Sequence, residues 1–182
     1  MNYFILIISI KAFFFNSVDA SLFKNVVEYP VKKGIYTFNF EINHGLSMSI
    51  YNKERNTYDP IIFENNKYYV RNYSYTDSCP SRTVLADASL IDSVITLSGI
   101  HREMLLINRM FPGPPIVVPR NAKVEVTVTN KLLSEAVSIH WHGQTQKNNF
   151  YMDGVSKLTQ CPISPGESFT YKFTASETGT HW

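Results

Sequence analysis

Val137-Ser138-Ile139-His140-Trp141-His142-Gly143 is the stretch on which the reading of this chain turns. Apolar and polar residues alternate along it, which predicts a β-strand over 137–141 that delivers two histidines at its end. Successive strand side chains point to opposite faces, so His140 and His142 share one face and Trp141 takes the other. At a rise of about 3.3 Å per residue, their Cβ atoms sit roughly 6–7 Å apart. That spacing is wide for gripping one ion and suits two imidazoles that reach two neighbouring metals. Neutral imidazole is the commonest metal ligand and fits copper, zinc and iron alike. Two histidines on a strand are also met as a plain structural pair, so the rest of the chain has to decide.

The same period-2 pattern recurs on both sides of this stretch. Val124, Val126 and Val128 alternate with polar residues, and so do Phe169, Tyr171 and Phe173 after a Pro165-Gly166 turn. Upstream, Tyr36, Phe38, Phe40 and Ile42 form one such series, and Leu46, Met48 and Ile50 another beyond a His44-Gly45 turn. Further strands are expected over 68–75, 94–97 and 105–108, with a polar loop over 52–60. Residues 111–115 hold three prolines and cannot be strand interior, because proline lacks the N–H that a ladder needs. Many short strands split by turn signals predict an all-β sandwich or barrel.

Composition agrees. Of the 182 residues, 44% are hydrophobic and 18% charged, enough apolar material for a packed core. A formal net charge of +2 argues against nucleic acid or an anionic membrane as partner. Ser81 and Ser98 lack the His and Asp context of a nucleophile, and no glycine-rich phosphate loop is present.

Beyond the histidines come Tyr151-Met152-Asp153-Gly154-Val155, Thr159-Gln160-Cys161-Pro162-Ile163, Ser164-Pro165-Gly166-Glu167-Ser168-Phe169 and finally Gly179-Thr180-His181-Trp182. Before them lies Ile107-Asn108-Arg109-Met110-Phe111-Pro112-Gly113-Pro114-Pro115-Ile116. In that order, these segments resemble the first cupredoxin-like domain of the multicopper oxidases, most closely the laccases of animals. The resemblance covers about residues 84–182 and implies a Greek-key cupredoxin barrel there. With a leader read from composition over 1–20, the chain divides into that leader, a variable β-rich extension over 21–83, and the oxidase-like domain over 84–182. Enzymes of this family pass single electrons from a donor at a type 1 copper to a trinuclear cluster, where dioxygen becomes water. By resemblance, His140 is a ligand of the type 2 copper and His142 of one type 3 copper. Asp153 matches an acidic residue that helps bring protons to oxygen, although Asp153-Gly154 also reads as a tight turn. The donor is a phenol, another aromatic compound or a metal ion.

His181 falls at a variable position of the GTxW pattern, and no ligand role is carried onto it. His44 and His101 match nothing and read as surface histidines. The chain carries one of the four HxH pairs and no type 1 cysteine–histidine motif, so it reads as the front of a larger enzyme with further cupredoxin domains, inactive by itself. The alternative is a secreted, non-catalytic β-domain that binds copper weakly or a protein partner. A zinc site at His140 and His142 is the weaker third option, since structural zinc prefers four ligands.

Residues 4–10, apart from Ser9, and residues 12–15 are apolar and Val18-Asp19-Ala20 offers small residues, as in a secretory leader cleaved after Ala20. Lys11 interrupts that run, which is shorter than the span of about 20 residues a membrane anchor needs. Secretion would make Asn72-Tyr73-Ser74 a glycosylation acceptor and would allow Cys79 and Cys161 to pair. The resemblance leaves that disulfide open, because in many laccases the cysteine of the TQCPI segment bridges to a later domain.

Overall fold

The computed structural model of the chain describes residues 3–6, 31–32, 34–71, 83–87 and 94–181. Its strands are β1 (Tyr3–Leu6), β2 (Val31–Lys32), β3 (Ile35–Leu46), β4 (Ser49–Asn52), β5 (Thr57–Glu64), β6 (Lys67–Arg71), β7 (Thr83–Leu85), β8 (Glu103–Ile107), β9 (Ile116–Pro119), β10 (Ala122–Asn130) and β11 (Ser168–Ala175). No α-helix occurs among the described residues, so the all-β expectation holds. Two compact units form: Met1–Asn43 with Leu106–Trp182, and His44–Leu105. This division falls at 43/44 and 105/106, whereas the sequence motifs drew a line between 83 and 84. Strand β3 makes the difference, because its first half is built into the sheet of the first unit.

In that unit β10 is central. It pairs antiparallel with β11, setting Val126 opposite Tyr171, and parallel with β3, setting Val126 opposite Phe38. The period of two then stacks whole ranks on one face. Phe38, Val126 and Tyr171 form one rank, Phe40 and Val128 lie on the next, and all five are buried. Ile116, Val118, Leu132, Ile139, Trp141 and Ile163 close over this face as one core. At roughly 1.5–3 kcal/mol per fully buried large apolar side chain, these ranks dominate the unit's stability. The opposite face of β10 and β11 is polar, with Thr127 and Thr170 sharing a hydroxyl hydrogen bond of 3.0 Å.

The second unit is an antiparallel meander, β4-β5-β6-β7, with Ile61 at its buried centre. Here two local expectations shift. The turn placed at His44-Gly45 lies at Ser47-Met48 instead, with Met48 at φ 52 and the Ser49 hydroxyl donating to the Leu46 carbonyl at 2.6 Å. The loop over 52–60 shrinks to residues 53–56. The Asn52 side-chain oxygen accepts the N–H groups of Glu54 and Arg55, and Tyr51 meets Tyr58 across the pair at 5.2 Å. An Asn side chain that closes its own turn lets a polar stretch continue as strand. Residues 94–97 form no strand, and the strand expected over 68–75 is described only as far as Arg71.

Tyr3–Leu6, inside the expected leader, lies antiparallel to β9. The cleavage point after Ala20, the triplet at Asn72, and Cys79 all fall outside the described residues. Cys161 is exposed with a free thiol.

Candidate metal site

The two histidines sit on a segment that alternates like a strand but is not one. Of residues 137–141 only Val137 is paired, exchanging backbone hydrogen bonds of 3.0 and 2.8 Å with Ile163. Residues 138–141 belong to no strand, which corrects the expected strand over 137–141. The alternation survives because the core enforces it. Ile139 and Trp141 point inward, and Trp141 is fully buried between Tyr171 and Phe173, with ring centroids 5.2 and 4.8 Å away. His140 and His142 are therefore left on the outer face, both exposed, with ring centroids 5.7 Å apart and the rings nearly edge-on.

A second segment fixes His140. One turn of 3-10 helix, Phe150–Met152, ends at Asp153, whose N–H donates to the Phe150 carbonyl. The Asp153 carbonyl then accepts from His140 Nδ1 at 2.8 Å, and its carboxylate Oδ1 stands 3.4 Å from the same nitrogen. The shorter contact is the hydrogen bond. A carbonyl can only accept, so Nδ1 carries the proton and the lone pair is on Nε2. This is how proteins orient a metal-binding imidazole: a fixed partner on one ring nitrogen leaves the other as ligand.

Gly154 makes the approach possible. At φ +84 it lies so near the histidine segment that a Cβ would stand 1.8 Å from the Ile139 carbonyl oxygen. Gly154 thus lets the backbone that follows Asp153 press against the histidine segment. Gly143 has a similar constraint: at φ +85, a Cβ would meet the His181 ring at 2.4 Å. His181, given no ligand role from sequence, thus packs against the backbone that follows His142. The structure sets Asp153 against His140, and His140 beside His142. His44 lies in the second unit, half-buried and 2.8 Å from Glu103 rather than free on the surface, while His101 is exposed.

Tyr171 is the residue that pattern reading missed. It was legible only as one member of an alternating strand, yet its hydroxyl accepts the Ile139 N–H at 2.9 Å. Burial pushes its hydroxyl above the ordinary tyrosine value, partly offset by hydrogen bonds to the Ile139 backbone and the Gln160 side chain.

A multicopper oxidase family profile matches residues 91–182. The chain belongs to the multicopper oxidase family. Among its curated relatives, Laccase-1 of Cryptococcus neoformans var. grubii is 40% identical over 127 residues, covering 69% of this chain and 19% of that protein. L-ascorbate oxidase of Brassica rapa subsp. pekinensis is 46% identical over 79 residues, covering 43% of this chain and 14% of that protein. A crystal structure of laccase from Botrytis aclada aligns at 22% identity and a TM-score of 0.45, covering 80% of this chain and 18% of the laccase. The chain thus spans less than a fifth of the length of these relatives.

Copper is the metal of this family, and the residues present fit it as part of a site. Two adjacent imidazoles, one with its lone pair left on Nε2 by the hydrogen bond at Nδ1, are donors suited to copper. No group of three or more His, Cys, Asp or Glu side chains that could hold a metal occurs among the described residues, so these two imidazoles would form part of a ligand set and not the whole of one.

Proposed function

We propose that this chain supplies the first pair of copper ligands of a secreted, laccase-like multicopper oxidase. In this reading His140 binds the type 2 copper and His142 one of the type 3 coppers of a trinuclear cluster. The hydrogen bond from His140 Nδ1 to the Asp153 carbonyl carries the proposal, because it leaves Nε2 as the lone-pair nitrogen of an exposed ring that lies 5.7 Å from the His142 ring. The bound coppers supply one-electron transfer and the reduction of dioxygen to water. The donor is a phenolic or other aromatic compound, or a metal ion, and the remaining ligands come from further cupredoxin domains.

The residues of this chain do three things in that chemistry. The Asp153 backbone holds the proton on His140 Nδ1 and so keeps the ring in its ligating tautomer. The Asp153 carboxylate, half-buried and next to the same nitrogen, can hold a proton and pass it on, and reducing dioxygen consumes protons. Trp141 takes no part at the metal and keeps its two neighbours pointing outward.

The tautomer and the proton relay depend on different atoms of Asp153, which separates the two roles. Asp153→Asn keeps the backbone carbonyl, so copper binding should be unchanged, while oxygen reduction in the multidomain enzyme should slow and lose its proton supply. Calorimetric titration of the chain with Cu(II) should show binding that disappears in His140→Ala and weakens in His142→Ala. Equal binding by wild type and His140→Ala would overturn the assignment. The chain alone should consume no oxygen with a phenolic donor, since it carries a single HxH pair and no cysteine–histidine type 1 motif.

A further inference from the structure

A ligand-bearing segment usually owes its position to the ladder of the strand it sits on. Here that support is missing, since residues 138–141 belong to no strand. The Ile139 N–H, directly before His140, donates not to a neighbouring strand but to the side chain of Tyr171, which lies 32 residues further on. The Tyr171 ring is fully buried and lies edge-on to Trp141, directly after His140. One side chain therefore fixes both neighbours of His140: its oxygen sets the backbone of Ile139, and its ring sets the indole of Trp141. Tyr171 is itself held firmly, because β11 pairs with β10 from Ala122 opposite Ala175 to Thr129 opposite Ser168.

We propose that Tyr171 is a positioning residue for the histidine pair, tying the unladdered His140 segment to the rigid β10–β11 pair through its hydroxyl. The inference rests on the reading of His140 and His142 as metal ligands. It assigns the accuracy of their placement to a hydroxyl that no ligand pattern includes. Loss of the hydroxyl would free the Ile139 N–H and let the segment slide. His140 Nδ1 would then part from the Asp153 carbonyl, and the Nδ1–H tautomer would lose its fixed partner. Partners of this outer kind are worth about 10–100-fold in metal affinity.

The test is Tyr171→Phe, which keeps the ring and its packing. Cu(II) affinity should fall at least tenfold, with nitrogen-15 spectra showing His140 as a mixture of tautomers. Unchanged affinity and an unchanged tautomer, with only a lower melting temperature, would reduce Tyr171 to a packing residue and overturn the proposal. Should the variant fail to fold, amide hydrogen exchange in the wild type decides. The Ile139 N–H should exchange as slowly as the paired amides of β10, and rapid exchange would refute the anchor. If wild type binds no copper at all while Ile139 is protected and His140 is locked as Nδ1–H, the ligand assignment fails and the positioning role stands.

Discussion

Strand β10 and the histidine segment have the same alternating pattern and are held by different means. Val124, Val126 and Val128 are buried every second residue, and hydrogen-bonded strands flank them on both sides. Ile139 and Trp141 are also buried every second residue, yet their segment has one bridge, a tyrosine hydroxyl and a glycine pressed against its backbone. In β10 the main-chain ladder does the positioning. In the histidine segment individual side chains do it, and each is needed. The segment that carries the histidine pair is thus the one whose geometry depends most on specific residues.

Substitutions should expose this contrast. Trp141→Ala should have the largest effect, destabilising the chain by about 3–5 kcal/mol as expected for a large buried aromatic, measured by denaturant unfolding. Gly154→Ala comes next. The positive φ alone costs about 1–3 kcal/mol in backbone strain, and the clash with the Ile139 carbonyl should also push Asp153 off His140. The variant should therefore lose copper affinity even under conditions where it remains folded. Thr127→Ala, which breaks a hydroxyl bond on the laddered side, should cost about 0.2–1 kcal/mol and leave copper affinity untouched. A Thr127 variant that disturbed copper binding would erase the distinction between the two regions.

The pH dependence is subtler. Tyr171 is harder to ionise when folded than the ordinary value of 10.0, chiefly because burial disfavours the anion. Its contribution to stability is therefore complete below 10.0 and is lost as pH rises through the higher folded value, since the unfolded chain ionises first. Unfolding followed at alkaline pH should show stability declining above 10.0. Tyr171→Phe should flatten that decline; an identical slope in the variant would place the titration elsewhere.

The sheet and the site were legible in the sequence to different degrees, for physical reasons. Phe38, Phe40, Val126 and Tyr171 announce buried strand faces because period-2 burial writes directly into residue identity. The two histidines were legible as a motif, and their shared face followed from the alternation. The absence of a ladder over 138–141 was not legible, because alternation reports burial and not pairing. Nor was the partner of His140: Asp153 was singled out for its carboxylate, whereas the atom that accepts the Nδ1 proton is its backbone carbonyl, which every residue type has. The β5 strand was hidden by its turn, since Asn52 closes it with a side chain that reads as loop. The anchor at Tyr171 joins positions too distant in sequence for any local pattern to pair them.

The most direct measurement is a long-range proton–nitrogen correlation spectrum of His140, taken in the metal-free chain at neutral pH and again on titration with Cu(II). His140 should appear as a single neutral tautomer protonated at Nδ1, and copper should first perturb the resonance of Nε2. A ring protonated at Nε2, or one that copper leaves unmoved, would contradict the assignment of His140 as a preset copper ligand.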